Sequence, residues 1–194
     1  MKLTQSIWLS LHLVLPSRTC RDVVGSHDSI AVVIYHKELK SLLLVRQFRP
    51  ALYATKLRAA ANSGSSRDIP LAEGFTCELC AGLVDKEKPM EEIVREEILE
   101  ECGYDVDANS ITHLTTYAAG VGIQGAFQSL FYTEVSESMK IQESGGLEDH
   151  GERIEVLALP LDNVDAFVTD SEVAKTSGAM FGLYWAKAQC LPSK

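Results

Sequence analysis

The chain has 194 residues and lacks several features that would place it in a class at once. No segment reaches the ~18 consecutive apolar residues of a membrane helix. Basic residues are scarce: Lys plus Arg number 18 against 27 Asp plus Glu, a formal net charge of −9. An acidic chain repels a phosphate backbone, which argues against general binding of nucleic acid or of an anionic membrane. A small phosphate ligand stays open to it if a divalent metal supplies the positive charge. A disulfide framework is missing too. The five cysteines, Cys20, Cys77, Cys80, Cys102 and Cys190, are odd in number and irregular in spacing. Cys77 and Cys80 form one C-x-x-C, with no second pair or His pair at zinc spacing after it. Residues three apart in a strand point to opposite faces, so these thiols are expected to diverge. Reduced thiols and a cytoplasmic location are the expectation. The stretch Ile7 to Leu15 faintly resembles a signal peptide, but it is short, contains His12 and has no small-residue cleavage site after it. It reads as a strand or a variant leader.

What is present is an ordinary interior: 46% of residues are hydrophobic and 23% charged. At roughly 100–200 residues per domain, the length fits one domain, or one with an appendage. No internal repeat or interdomain linker is visible. Two apolar runs, Ser29 to Tyr35 and Leu42 to Phe48, read as strands joined by a hairpin. Residues 54–73 turn polar and small and read as a mobile surface insertion. Phe75 to Cys80 reads as a strand. Pro89 suits the first position of a helix running to about Cys102, with Gly103 as its stop. Further strands are expected at about Ile111–Tyr117, Phe127–Val135 and Ile154–Leu159. The loop Gly120 to Gly125 has no P-loop lysine and no following helix, so it is not a phosphate cradle. A last helix, about Val173 to Gln189, offers Val173, Met180, Phe181, Tyr184 and Trp185 to the core. Strands mixed with two long helices point to an α/β sandwich.

The segment Glu91 to Gly103 carries the most information. Six glutamates crowd about three helical turns. At ~100° per residue, Glu101 falls between Met90 and Ile98 and near Val94. Glu97 lies beside it, and Glu100 a little further round. Three carboxylates therefore share the apolar side of the helix, while Glu92 and Glu96 lie opposite, where solvated charges belong. Glu97, Glu100 and Glu101 are neighbours at i, i+3, i+4, and no Lys or Arg in the helix neutralises them. Partial burial makes such repulsion worse. The arrangement calls for a cation, and oxygen ligands without His or Cys suit Mg²⁺ or Mn²⁺.

From Gly82 to Tyr104 the chain resembles the Nudix box, G-x5-E-x7-R-E-U-x-E-E-x-G-U, where U is a bulky apolar residue. Gly82, Glu97, Ile98, Glu100, Glu101, Gly103 and Tyr104 fall in register. Lys88 stands where the first Glu belongs, and Glu96 where the Arg belongs. Arg95 is one place early and points ~100° away round the helix, so the departure implies weaker metal binding. The stretches Val45 to Pro50, Glu78 to Asp85, Glu101 to Tyr104 and Phe131 to Val135 resemble the branch of that family acting on ADP-ribose and UDP-sugars, the UDP-sugar diphosphatases in particular. The likeness runs from about Ser26 to Trp185, which leaves residues 1–25 as a divergent N-terminal segment and 26–194 as the Nudix domain.

The resemblance implies an α/β/α sandwich with a mixed sheet. It also implies hydrolysis of a UDP-sugar at its pyrophosphate to UMP and sugar 1-phosphate, and a homodimer. Residue by residue, Glu97, Glu100, Glu101 and the Ala81 carbonyl would bind Mg²⁺, and Arg49 and Glu78 would sit in the substrate pocket. Glu101 and Glu152 are the candidate catalytic carboxylates, Glu152 as acid or base at the metal site, with Glu148 and Asp149 as rivals and His150 where relatives often carry another Glu. Two other functions stay open: ADP-ribose pyrophosphatase, and a Nudix-fold binding protein with weak hydrolysis.

Overall fold

The structure is a computed structural model that describes residues 13–14, 20–21, 23–64, 68–143, 145 and 154–190. Strands β1 (Leu13–Val14) and β2 (Cys20–Arg21) form a small antiparallel pair. The main sheet is mixed and has seven strands: β3 (Ser29–His36), β4 (Ser41–Phe48), β5 (Phe75–Glu78), β6 (Cys80–Leu83), β7 (Thr112–Ala118), β8 (Phe127–Val135) and β9 (Ile154–Pro160). The helices are α1 (Pro50–Asn62), α2 (Met90–Glu97), α3 (Val164–Thr169) and α4 (Ser177–Cys190). The architecture is an α/β sandwich, as the mixture of strands and long helices predicts.

The hairpin of β3 and β4 is held together at one end, where Ile34, Tyr35 and His36 face Leu43, Leu42 and Ser41. Beyond that the two strands part, and β5 and β6 fill the fork. β5 pairs with β4 and β6 with β3. Phe75 to Cys80, read as one strand, is thus broken at Leu79, where the chain crosses from one side of the fork to the other. β3 also runs parallel to β8, and β4 antiparallel to β9.

Both faces of the sheet are covered, which explains the near-continuous apolar runs of β3 and β4. Alternation sends Ile30, Val32 and Ile34 into one core with Ile93, Val94 and Ile98 of the acidic helix. It sends Ala31 and Val33 into another with Leu183 and Ala186 of α4. Cys77, Cys80 and Cys102 are free and buried.

The structure corrects three further readings. Residues 50–62 are helical instead of an irregular insertion. Ala, Leu, Lys and Arg dominate the segment and Pro50 sits in its first turn, so propensity favours a helix. None of its residues is buried, so no apolar stripe announced it. The acidic helix has the expected length, but after Glu97 it widens into a π-helical turn, Ile98–Cys102, before Gly103 ends it at φ 83°. In α4 the buried residues are Gly178, Ala179, Gly182, Leu183 and Ala186, whereas Phe181 and Tyr184 are 48% and 44% exposed. Met180 and Val173 are half-buried and Trp185 packs at the margin, edge-on to Tyr132. The reason is Gly182: a Cβ there would stand 2.8 Å from Val33 and 3.0 Å from Leu79. The helix lies so close to the sheet that small residues, not aromatic ones, face it. Among the described residues no helix is long and apolar enough to cross a membrane.

Candidate active site

The fork between β3 and β4 is where the chemistry-bearing side chains gather. Glu78 ends β5 and is buried, at 8% exposure. Arg49 follows β4 and donates to it twice, Nε to Oε1 and Nη2 to Oε2, each at 2.7 Å. The Thr76 hydroxyl donates to the same carboxylate. Burial alone would push the Glu78 carboxyl up, but the hydrogen bonds from Arg49 and Thr76 and the guanidinium charge together hold it below the ordinary value. The Nε edge of Arg49 is therefore engaged by Glu78, and what Arg49 brings to the cleft is chiefly its half-exposed positive charge.

The carboxylates of the acidic helix reach the same place from the other side. Glu101, at 6% exposure, accepts a hydrogen bond from the Ala81 amide at 3.1 Å. Glu97 lies across Gly82, so closely that a Cβ on Gly82 would overlap its carboxylate. The first glycine of the box is thus a matter of space: only a bare backbone lets the strand pass beneath Glu97. Glu100 is half-buried beside them. The wheel reading placed Glu97, Glu100 and Glu101 on the apolar side, and the structure turns all three toward the sheet-side cleft.

Arg49, Glu78, Ala81, Gly82, Glu97, Glu100 and Glu101 line one cleft of about 540 Å³. Asp85 and Lys86 line it too, so five carboxylates face two cations. Among the described residues no three ligating groups close into a metal cage. A magnesium-like ion does not require such a cage, since it keeps waters and binds through one or two carboxylates plus substrate phosphates. The hard-oxygen donor set and the Glu97 carboxylate seated on Gly82 fit such an ion.

The two departures from the box meet each other. Glu96 is a surface charge, as the helix wheel places it, but it is paired: Lys86 holds it at 3.0 Å and Lys88 contacts its other oxygen. Hydrogen bonds from Lys88 and then Lys86 hold the Glu96 carboxyl below its ordinary value. Lys88 and Glu96 thus carry the reverse of the charges that the box pattern has at these positions, and they form a pair. Arg95 does point elsewhere, to Asp105 at 2.8 Å and the Val106 carbonyl at 3.0 Å.

Sequence reasoning missed Lys86, Asp85 and Gln128, which also line the cleft. Lys86 and Asp85 look like ordinary loop charges, and Gln128 like an outward strand residue; no pattern marked them. Glu152, with Glu148, Asp149 and His150, lies outside the described residues.

No protein-family model matches the chain. It is 39% identical over 176 residues to the uridine diphosphate glucose pyrophosphatase NUDT14 of Bos taurus, covering 84% of this chain and 79% of the relative. It is 34% identical over 183 residues to the protein of that name from Mus musculus, covering 88% and 82%. A GDP-mannose pyrophosphatase of Cronobacter sakazakii is 36% identical over 141 residues, 72% of this chain and 63% of the relative.

Proposed function

Because this chain belongs to the Nudix family of pyrophosphatases, we propose that it hydrolyses the pyrophosphate bond of UDP-glucose or a related UDP-sugar, releasing UMP and sugar 1-phosphate. The observation that carries the reading is the acidic cleft. Five carboxylates against two cations would expel a diphosphate unless a divalent ion came with it. Glu97, Glu100, Glu101 and the Ala81 carbonyl would hold Mg²⁺, which when bound would supply that charge, activate water and stabilise the leaving phosphate. Arg49, oriented by its two bonds to Glu78, faces the diphosphate with a fixed positive charge. Glu101 is the catalytic carboxylate of the helix, and Glu152 is the proposed acid or base on the resemblance alone. One oxygen of water joins phosphorus, the P–O–P bond breaks, and the proton leaves through the base.

The domain is proposed to begin near Ser26. A cytoplasmic location is supported by Cys77, Cys80 and Cys102 being free thiols, and a homodimer by the resemblance. The GDP-mannose relative makes the base the open part of the specificity. Incubation with Mg²⁺ and UDP-glucose, GDP-mannose or ADP-ribose, with products separated by chromatography, decides it. UMP and glucose 1-phosphate formed fastest from UDP-glucose is the expected result. UDP plus free glucose would refute pyrophosphate cleavage, preference for ADP-ribose would move the assignment, and binding without turnover would make the chain a binding protein.

A further inference from the structure

Beside the acidic cleft lies a larger one of about 690 Å³. Glu78, Ala81 and Gln128 line both, so the two adjoin. Their chemistry differs. Apart from the shared Glu78, no charged residue lines the second cleft among the described residues. Its wall comes from the loop after β7 and from the first turn of α4, apolar at Leu79, Val121 and Ile123, with polar groups at Tyr117, Gln128, Thr176 and Ser177. A diphosphate would find no cation there. An uncharged group rich in hydroxyls would find donors and acceptors on several sides. A nucleobase is held best by stacking on an aromatic face. Among the described residues the one aromatic of this wall is Tyr117, whose hydroxyl is committed to Gln128 and whose ring already meets Phe181 edge-on at 6.5 Å, so no pair of faces is left to clasp a base.

The threshold between the clefts is built. Gln128 Nε2 donates to the Ser29 hydroxyl at 3.1 Å, and the Tyr117 hydroxyl donates to Gln128 Oε1. Helix α4 begins directly over this row. A Cβ at Gly178 would overlap the Tyr117 hydroxyl and stand 3.0 Å from Gln128 Oε1, so glycine is needed for the close approach. A primary amide offers two N–H groups and two lone pairs. With one of each committed to Ser29 and Tyr117, the amide is fixed in orientation and can still bond a third group passing over it.

We propose that the second cleft holds the sugar of the nucleoside diphosphate sugar, with Gln128 as the specificity residue that hydrogen-bonds it at the threshold. The inference rests on the pyrophosphatase reading, and its test separates the two. Equilibrium binding in Ca²⁺ is measured by calorimetry for UDP-glucose and for the methyl ester of UDP, in which a methyl group replaces the sugar. Ala119→Phe fills the cleft from a half-buried lining position, and Gln128→Ala removes the amide. Ala119→Phe should weaken UDP-glucose at least ~10-fold, and Gln128→Ala about 3–10-fold, the value of one lost hydrogen bond. Methyl ester affinity should stay within about twofold, since it enters neither contact. Equal losses for both ligands would place the nucleoside in the cleft and overturn the proposal. So would no loss for either, or a wild-type chain that binds the methyl ester as tightly as UDP-glucose, or binds neither. If Ala119→Phe does not fold, Gln128→Ala carries the test. Should the binding pattern hold while Mg²⁺ yields no UMP, the cleft assignment stands and the hydrolytic reading fails.

Discussion

The two faces of the sheet are packed by helices of opposite character, and the difference lies in where charge is brought into a packed layer. On one face the acidic helix buries Ile93, Val94 and Ile98 but also brings Glu101 to 6% exposure. On the other, α4 buries Ala179, Leu183 and Ala186 and presses Gly182 against Val33 and Leu79. The first helix accepts like-charge repulsion inside a packed layer, which packing alone does not justify. The second is close-packed and carries no charge into its core. Like charges gathered on one face and absent from the other are the contrast on which the proposed metal site rests.

Paired substitutions break the comparison most directly. Glu101→Gln keeps shape and removes a charge; activity should fall ~10²–10³-fold with the melting temperature held or raised, because a repelled buried carboxylate is gone. Leu183→Ala should do the opposite, lowering stability by about 2–5 kcal/mol while the folded fraction keeps its turnover. Activity assays beside thermal melts check both. Full activity in Glu101→Gln would strip the acidic face of its special role.

The two glycines give the same contrast at a finer scale. At Gly82 an added methyl meets the flexible end of Glu97, which can swing away. Gly82→Ala should therefore cost roughly tenfold or more in rate through a displaced carboxylate, with little change in melting. At Gly182 the methyl meets buried Val33 and Leu79, which cannot. Gly182→Ala should cost about 1–3 kcal/mol of stability and leave the rate alone. Swapped outcomes would reverse the assignment of the faces.

How much of this was legible follows from the same contrast. Carboxylates at apolar positions of a helix conflict with local rules, and such conflicts are visible in sequence. The acidic helix, its glycines and the sheet strands were therefore readable. In α4 apolar residues lie on every side, so periodicity could not say which ones face the sheet; Phe181 and Tyr184, chosen for bulk, proved exposed, while Trp185 packs at the core margin. Helix α1 buries none of its residues and gave no stripe to read. The break at Leu79 depends on β3 and β4 diverging, a property of the sheet that no local pattern holds. Gln128 gained its place from Ser29, 99 residues away.

Acid titration sharpens the picture of the shared wall. Glu78 is held below its ordinary value by Arg49 and Thr76 against the push of burial. A depressed carboxyl adds stability above its unfolded value of ~4.3 and loses it as pH falls through the folded value. Arg49→Met should thus melt lower than wild type at neutral pH, by an amount on the order of 1–2 kcal/mol given the half-exposed guanidinium. The gap should close as pH drops below ~4, where Glu78 is protonated in the variant and then in the parent. A gap unchanged from pH 7 to 3 would show that the pair does not govern Glu78.

The smallest effect expected concerns the reversed pair beside the acidic face. Glu96 lies between Lys86 and Lys88, so restoring the box residue alone, Glu96→Arg, would set three positive charges together. Lys88→Glu alone would set a second carboxylate against Glu96, next to the metal-side carboxylates. Each single change should weaken stability by about 0.2–1 kcal/mol, the scale of an exposed ion pair, and raise the metal concentration needed for half-maximal rate. The double exchange Lys88→Glu with Glu96→Arg restores an opposite-charge pair in the same place. It should recover most of both losses, and the coupling energy from the four proteins measures the pair itself. Additive losses would mean that the lysines and Glu96 act separately. A Glu96→Arg chain with a lower metal requirement than wild type would mean that the reversed pair weakens the site, as the box pattern alone implied.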